Sequence, residues 1–313
     1  MPSGQSYSYT AGANPEDLHK IALLTTPQVT PVFSALGAGW DATQSHHEWP
    51  TDQLNVPRNL PVQEGATITP ASPLAVIRMG NYSQLIDRSY VLSDRQQKIA
   101  QKNGLNVGIG QQMKKATIEL KKDMELVFLT SSTTSVEAGG AASTTGGYKY
   151  FLDASNATWG TAITAAGTIV DCQSKALSED KHLLLLLQNL YNVHDPDSLT
   201  IIANASNKAK IDRFTGGAMR QQDATKGKVG VNIKSIESSF GDVAVMVARQ
   251  ASSTDIPVLD MSMWKKSFVQ PIEAFDISGT QFKNKHGIEK GVQSEFVFEC
   301  RNYLAGGRLI NVG

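Results

Sequence analysis

The chain has 313 residues and a mass of 33.8 kDa, with 29 Lys plus Arg against 29 Asp plus Glu and a pI near 7.0. Zero formal charge excludes a polycation whose affinity comes from neutralising phosphates, and 19% charged with 41% hydrophobic residues excludes a highly charged disordered chain. A near-neutral chain of this size can bury one large or two medium cores, and little long-range repulsion opposes its self-association.

Residues 1–14 are small and polar, carry no Lys or Arg, and read as an arm. They lack a basic segment followed by an apolar one, so no signal peptide is expected. The most apolar run, Leu183 to Leu187, is far shorter than a membrane span. Pro15, Glu16 and Asp17 predict a short helix to about Leu24, with acids in its first turn. Pro27 and Pro31 then restrict an extended segment carrying an apolar patch at Val32, Phe33, Ala35 and Leu36.

Two long strands are predicted at about 44–54 and 74–92, around a tip at 55–73. The tip holds Pro57, Pro61, Pro70, Pro73 and Gly65, which exclude helix and central strand. Neither face of the return strand is cleanly apolar or polar, and a two-stranded hairpin of this length is not stable alone in water. Its half-apolar faces call for partners, such as another subunit.

Residues 94–130 hold the best helix, with Gly104, Gly108 and Gly110 weakening its start. Ile109, Met113, Ala116, Leu120, Met124 and Val127 form one stripe of a helix of about 20 residues, roughly 30 Å long. Lys114, Lys115, Lys121 and Lys122 fall on the remaining faces. Lys121–Glu125 and Glu119–Lys122 are expected to pair, leaving a solvated basic face rather than a phosphate track.

Residues 131–149 read as a Ser/Thr/Gly-rich linker. A buried helix is predicted at 172–193, a turn at 194–198 and a buried strand at 199–205. Ser206 is expected to cap a short helix over 207–214 that stops at Gly216 and Gly217. A hairpin over 229–238 and 242–250 follows, then a strand-rich end over 256–313. Val292 to Cys300 alternates as a half-buried antiparallel strand. The order implies an α+β fold with mixed sheets.

Chemical signals are sparse. Cys172 and Cys300 are distant and belong to no CxxC or zinc pattern, so two buried thiols in an intracellular protein are expected. On a strand, His46 and Glu48 face one way and His47 the other, so the three do not converge on a metal. Gly108-Ile109-Gly110 lacks the third glycine of a dinucleotide loop, and no Walker A, GxSxG, HExxH or calcium-loop sequence occurs. Trp49, Trp159 and Trp264 lack the basic interleaving of a single-strand binding platform. No catalytic residue, cofactor or metal site is therefore expected. An enzyme or ligand-binding protein with a site near His46, Glu48 and Asp52 stands as the alternative.

An ordered set of segments carries a likeness: TPQVTPVFSALG (26–37), HHEWPTDQL (46–54), QEG (63–65), RMGNYSQL (78–85) and KKATIELKKDMELVFL (114–129), followed by FTGG (214–217), SSFGDVAVMVAR (238–249), VLDMSMWK (258–265) and SEFVFECRN (294–302). From about residue 15 onward the chain resembles a major capsid protein, or major head protein, of tailed double-stranded DNA bacteriophages. The resemblance implies a Hong Kong 97-type fold with an N-terminal arm (1–38), an extended β-hairpin loop (39–93), a peripheral domain with a spine helix (94–165 and 251–313) and an axial domain (166–250). It implies self-assembly into hexamers and pentamers of an icosahedral head, made in the host bacterial cytoplasm and carried in the virion.

The partners implied are other copies of the chain, a portal, separate scaffolding and decoration proteins, and packaged DNA bound without sequence specificity; no membrane is involved. A cellular nanocompartment shell of the same fold is a second possibility. Within this picture Phe33, His46, Glu48, Trp49, Glu64, Arg78, Tyr82 and Arg88 are the candidate intersubunit contacts.

Overall fold

The computed structural model describes residues 26–52, 54–55, 57, 59, 61–67, 73–102, 108–153, 168–194, 199–214, 234–277 and 287–313. The helix expected at 15–24, most of the turn at 194–198, the glycine stop at 216–217 and the first residues of the 229–238 strand lie outside them.

The first elements are α1 (Pro31–Ala35), β1 (Gly37–Ala38), β2 (His46–Thr51), β3 (Ile77–Tyr82), β4 (Gln84–Ser93), α2 (Asp94–Lys102), α3 (Ile109–Thr130) and α4 (Tyr148–Leu152). Then come β5 (Ile169–Asp171), a π turn (Glu179–Leu183) running into α5 (Leu184–Val193), β6 (Leu199–Ala203) and α6 (Ala205–Ile211). The chain ends in β7 (Ser235–Ser238), β8 (Gly241–Val247), β9 (Ile256–Asp260), β10 (Trp264–Asp276), β11 (Gly287–Cys300) and β12 (Gly306–Ile310).

These strands make a four-stranded sheet in the order β1-β10-β11-β4, a six-stranded sheet in the order β5-β12-β9-β6-β8-β7, and a separate β2-β3 ribbon. Both larger sheets mix parallel and antiparallel pairs, as the expected α+β class requires.

Two cores follow. The six-stranded sheet packs under α5 through aliphatic side chains, including Leu186, Leu187, Leu190, Ile201, Val258 and Leu309. The core between α3 and the four-stranded sheet is aromatic. Phe128 on α3 meets Phe298 and Trp264 edge-on, at 5.1 and 5.7 Å between ring centroids. Gly147 lies where a Cβ would stand 2.3 Å from the Phe128 carbonyl oxygen, so only glycine lets α4 start against the end of α3.

Several expectations are corrected. The single return strand over 74–92 breaks at Ser83, whose hydroxyl donates to Glu295 and whose N–H donates to Ser45 O at 2.7 Å. β3 continues the hairpin with β2, whereas β4 crosses into the main sheet beside β11. The helix expected from 172 begins only with the π turn at 179, because Gln173 (φ 52°) and Ser174 (φ 58°) form a left-handed turn after β5. Asn204, rather than Ser206, caps α6, accepting from Asn207 N–H at 2.8 Å.

The 131–149 segment is no slack linker. It folds back on itself through bridges Ser135–Thr144 and Ala138–Ala141. The alternation in β11 holds only to Glu295; Phe296 to Cys300 are buried on both faces. Among the described residues, neither expected pair along α3 forms an ion pair. Glu125 instead accepts the Phe33 N–H at 3.0 Å, and Glu119 accepts the Tyr90 hydroxyl at 2.6 Å.

Candidate assembly surfaces

The β2-β3 hairpin is held at its base by one buried carboxylate. Glu299, 0% exposed, accepts Trp40 N–H at 2.8 Å and the Ser267 hydroxyl, and sits 3.0 Å from His47 Nε2. Burial by itself would push this carboxyl up. The bonds from His47 and Ser267, the His47 charge and the Trp40 N–H outweigh it and hold the carboxyl below its usual range. On the outer side, the Arg301 guanidinium lies 3.9 Å from the centroid of the Trp40 ring. Gly39 permits this convergence, since a Cβ there would overlap Ser267 Oγ and the Glu299 carboxylate.

Asn81 is the second anchor. Its side-chain amide donates to Thr145 Oγ1, Gly146 O and Phe298 O, each at 3.0 Å. Its carbonyl accepts from Gly146 N–H at 2.9 Å and the Thr134 hydroxyl at 2.8 Å. One buried side chain thus ties the hairpin, the 131–147 excursion and β11 together.

The expected contact residues divide into two groups. Trp49 and Phe33 are core residues of their own chain. Trp49 is 1% exposed and donates its indole N–H to Cys300 O at 2.9 Å. Phe33 is buried beside α3, with Lys266 Nζ 4.2 Å from its ring centroid. Arg88 bridges Asp123 on α3 at 2.7 Å, a bond within the subunit.

The outer face of the hairpin carries the others. His46 stacks on Tyr82 at 4.5 Å between centroids, His46 Nδ1 is 3.8 Å from Glu48, and Arg78 is 3.6 Å from Glu48. Glu64 occupies an exposed turn toward the tip. Toward that tip the chain exposes apolar side chains, with Leu54 96% and Val62 75% accessible, and Leu74 and Val76 also open. A groove of about 560 Å³ runs beside the hairpin, lined by Tyr82, Leu85, Val136, Glu137, Gly140 and Glu295.

His46 and Glu48 share a face, as alternation requires, and His47 turns inward to Glu299. Asp52 lies just past the end of β2, about 20 Å along the strand from His46 at the usual rise, so the three do not meet. Among the described residues no group of three His, Cys, Asp or Glu side chains is placed to hold a metal, and no helix is long and apolar enough to cross a membrane.

Sequence reasoning missed the two anchors. Glu299 had a visible signal, an acid inside the apolar run FVFEC; Asn81, one polar residue among many on its strand, had none.

No curated protein matches the chain. Solved structures do. The capsid of a native GTA particle is similar at TM-score 0.67 and 9% identity, with 99% of each chain covered. A chain of Gordonia phage Cozz is similar at TM-score 0.60 and 10% identity, over 99% of this chain and 96% of that one. The capsid of cyanophage P-SCSP1u is similar at TM-score 0.59 and 8% identity, over 99% and 98%. At such identities the likeness establishes the fold, the Hong Kong 97-type capsid fold. The family described as SU10 major capsid protein matches residues 1–313. That match over the whole chain, on a capsid fold, places the chain in the SU10 major capsid protein family.

Proposed function

We propose that the chain is a structural, non-enzymatic shell subunit that assembles with copies of itself into hexamers and pentamers of an icosahedral head. The family match over all 313 residues carries this reading. The exposed apolar side chains of the hairpin support it, since Leu54, Val62, Leu74 and Val76 lie open among the described residues and would gain burial against a neighbouring copy. In this reading residues 1–38 are the arm, 39–93 the extended loop, 94–165 with 251–313 the peripheral domain, and 166–250 the axial domain. His46, Glu48, Glu64, Arg78 and Tyr82 lie in the loop's contact with the next subunit.

The head is made in the host bacterial cytoplasm with a portal and separate scaffolding and decoration proteins. It encloses double-stranded DNA without reading its sequence. Electron micrographs of purified protein, with and without its scaffold, test this: shells, capsomers or tubes are expected, and a stable monomer would overturn it. Deleting residues 56–72 is expected to leave a folded subunit that no longer closes shells. Global unfolding of that deletion would count against an outward-reaching loop.

A further inference from the structure

The two larger sheets are joined by two connections that bond to each other. One runs from β9 to β10 over residues 260–264, the other from β11 to β12 over residues 300–306. Asp260 N–H donates to Ala305 O at 2.9 Å, and Arg301 N–H donates to Met263 O at 3.0 Å. Each connection also carries a turn of its own. Met263 N–H donates to Asp260 O at 3.0 Å in the first, and Ala305 N–H to Asn302 O at 3.1 Å in the second.

His194 closes α5 and sits against both connections. Its side chain is 8% exposed, and that of Asp260 is 0%. Nε2 lies 2.9 Å from Asp260 Oδ2, and Nδ1 lies 3.2 Å from Asn302 Nδ2. An ionised carboxylate only accepts, so the proton of the neutral ring is on Nε2, and Nδ1 is an acceptor filled by the Asn302 amide. The end of α5 is thus tied to β9 by one ring nitrogen and to the 300–306 connection by the other.

The partners of the ring are themselves held in this sense. Asp260 Oδ1 accepts the Ser262 N–H at 3.0 Å and the Ser262 hydroxyl at 2.7 Å, which turns Oδ2 toward the histidine. Asn302 Oδ1 accepts the Leu304 N–H at 2.9 Å, which aims Nδ2 at the ring. Among the described residues Asp260 is the charged group that meets His194. Asp195 and Asp197, which follow it in sequence, lie outside them.

We infer that His194 is a pH-sensitive latch between the two sheets, in which a proton taken up at Nδ1 releases Asn302 while Asp260 keeps the ring on β9. A second ring N–H would face the Asn302 NH2, donor against donor. The amide then has two responses. It turns, and Oδ1 leaves the Leu304 N–H to meet the ring, or it stays and its bond to the ring is lost. Either way the 300–306 connection gives up one hydrogen bond. The Asp260 carboxylate attracts the imidazolium, so the tie to β9 tightens as the tie to the connection is lost. Histidine is the side chain whose charge ordinarily changes between about pH 5 and 8, so the latch answers to mild acid with both cores intact. The inference goes beyond the shell reading and does not depend on it, since it concerns how the two sheets of one subunit are joined.

The test is hydrogen–deuterium exchange of the full-length protein at about pH 7.5 and about pH 5.5, read by mass spectrometry over residues 301–306 and corrected for the intrinsic exchange rate at each pH. Peptides of β6 and β9 serve as the internal reference, since both strands are buried at every position. In wild type, protection over 301–306 is expected to fall about three- to tenfold in acid relative to that reference. His194→Gln keeps an amide donor for Asp260 and takes up no proton, so its protection should not change with pH. Asn302→Asp offers a carboxylate that accepts from both the Leu304 N–H and the protonated ring, so the fall should vanish or reverse.

Equal loosening in acid of wild type and His194→Gln overturns the inference, and so does the absence of any fall in wild type. A full wild-type fall in Asn302→Asp overturns it as well, by showing that Asn302 is not the group released. If circular dichroism finds His194→Gln unfolded, Asn302→Asp still decides, because it retains the histidine. Micrographs of the same samples report assembly at each pH separately, so a change of assembly state is not read as release of the latch.

Discussion

The two sheets of the subunit are stabilised in different ways. The six-stranded sheet and α5 share an aliphatic core, and β6 and β9 are buried at every position. The four-stranded sheet and α3 share an aromatic core ringed by buried polar side chains, among them Asn81, Glu125, Ser267, Ser294 and Glu299. The reason lies in what each must hold. Apolar burial is non-directional and suffices where helix and strands cover one another. The arm and the hairpin place only a few side chains in that core, among them Phe33, Trp49 and Met79, and the 131–147 excursion places none of the described ones. Directional bonds to Asn81, Glu125 and Glu299 fix their positions on the sheet instead.

The largest expected effects test the two cores. Phe298→Ala should cost about 3–5 kcal/mol and Leu186→Ala about 2–5 kcal/mol by denaturant midpoint. The contrast predicts that Phe298→Ala also loosens the hairpin base, because Asn81 bonds to the Phe298 carbonyl, whereas Leu186→Ala should leave proteolysis of the hairpin unchanged. Equal effects of both variants on hairpin proteolysis would erase the distinction.

Asn81→Ala comes next, at about 2–3 kcal/mol, because it leaves buried partners unsatisfied at about 1–3 kcal/mol each. Limited proteolysis should cut within 131–147 before anywhere else in the described fold. Cutting that starts instead in the six-stranded sheet would show that Asn81 is not the clamp.

Glu299 gives a pH signature. Its folded pKa is depressed, so its contribution is present above the ordinary carboxylate pKa of about 4.3 and is lost as pH falls through the lowered folded value. Glu125, raised by burial, contributes in the opposite sense, but it is present in both proteins being compared. Glu299→Gln should therefore flatten part of the acid limb in a plot of Tm against pH, and retention of the full wild-type limb would remove Glu299 from the latch.

Arg88→Ala should have the smallest effect, under about 1 kcal/mol, since the pair with Asp123 is partly exposed and screened. An effect that persists undiminished in high salt would point to lost packing by the arginine stem rather than lost charge.

Local pattern was enough for several elements. The stripe from Ile109 to Val127 marked α3, the run 199–203 marked β6, and period-two alternation put His47 opposite to His46 and Glu48. The ordered motifs also carried the capsid likeness, which the family match bears out. The candidate surface was legible only in outline. A hairpin without a clean face announced a need for partners, but nothing local distinguished Trp49, which the core consumes, from Arg78, which stays open.

Chain order, periodicity and net charge were thus determined by the sequence itself, because helices and strands repeat over a few residues and charges simply add. Only the tertiary structure decided which carboxylate met which partner. Glu125 lies one turn from Lys121 yet bonds the Phe33 N–H, 92 residues away in sequence. A buried backbone donor needs that acceptor more than an exposed ammonium does, since water solvates the lysine and cannot reach the amide. Glu119 and Asp123 likewise meet partners distant in sequence, Tyr90 and Arg88 on β4, rather than the lysines of their own helix.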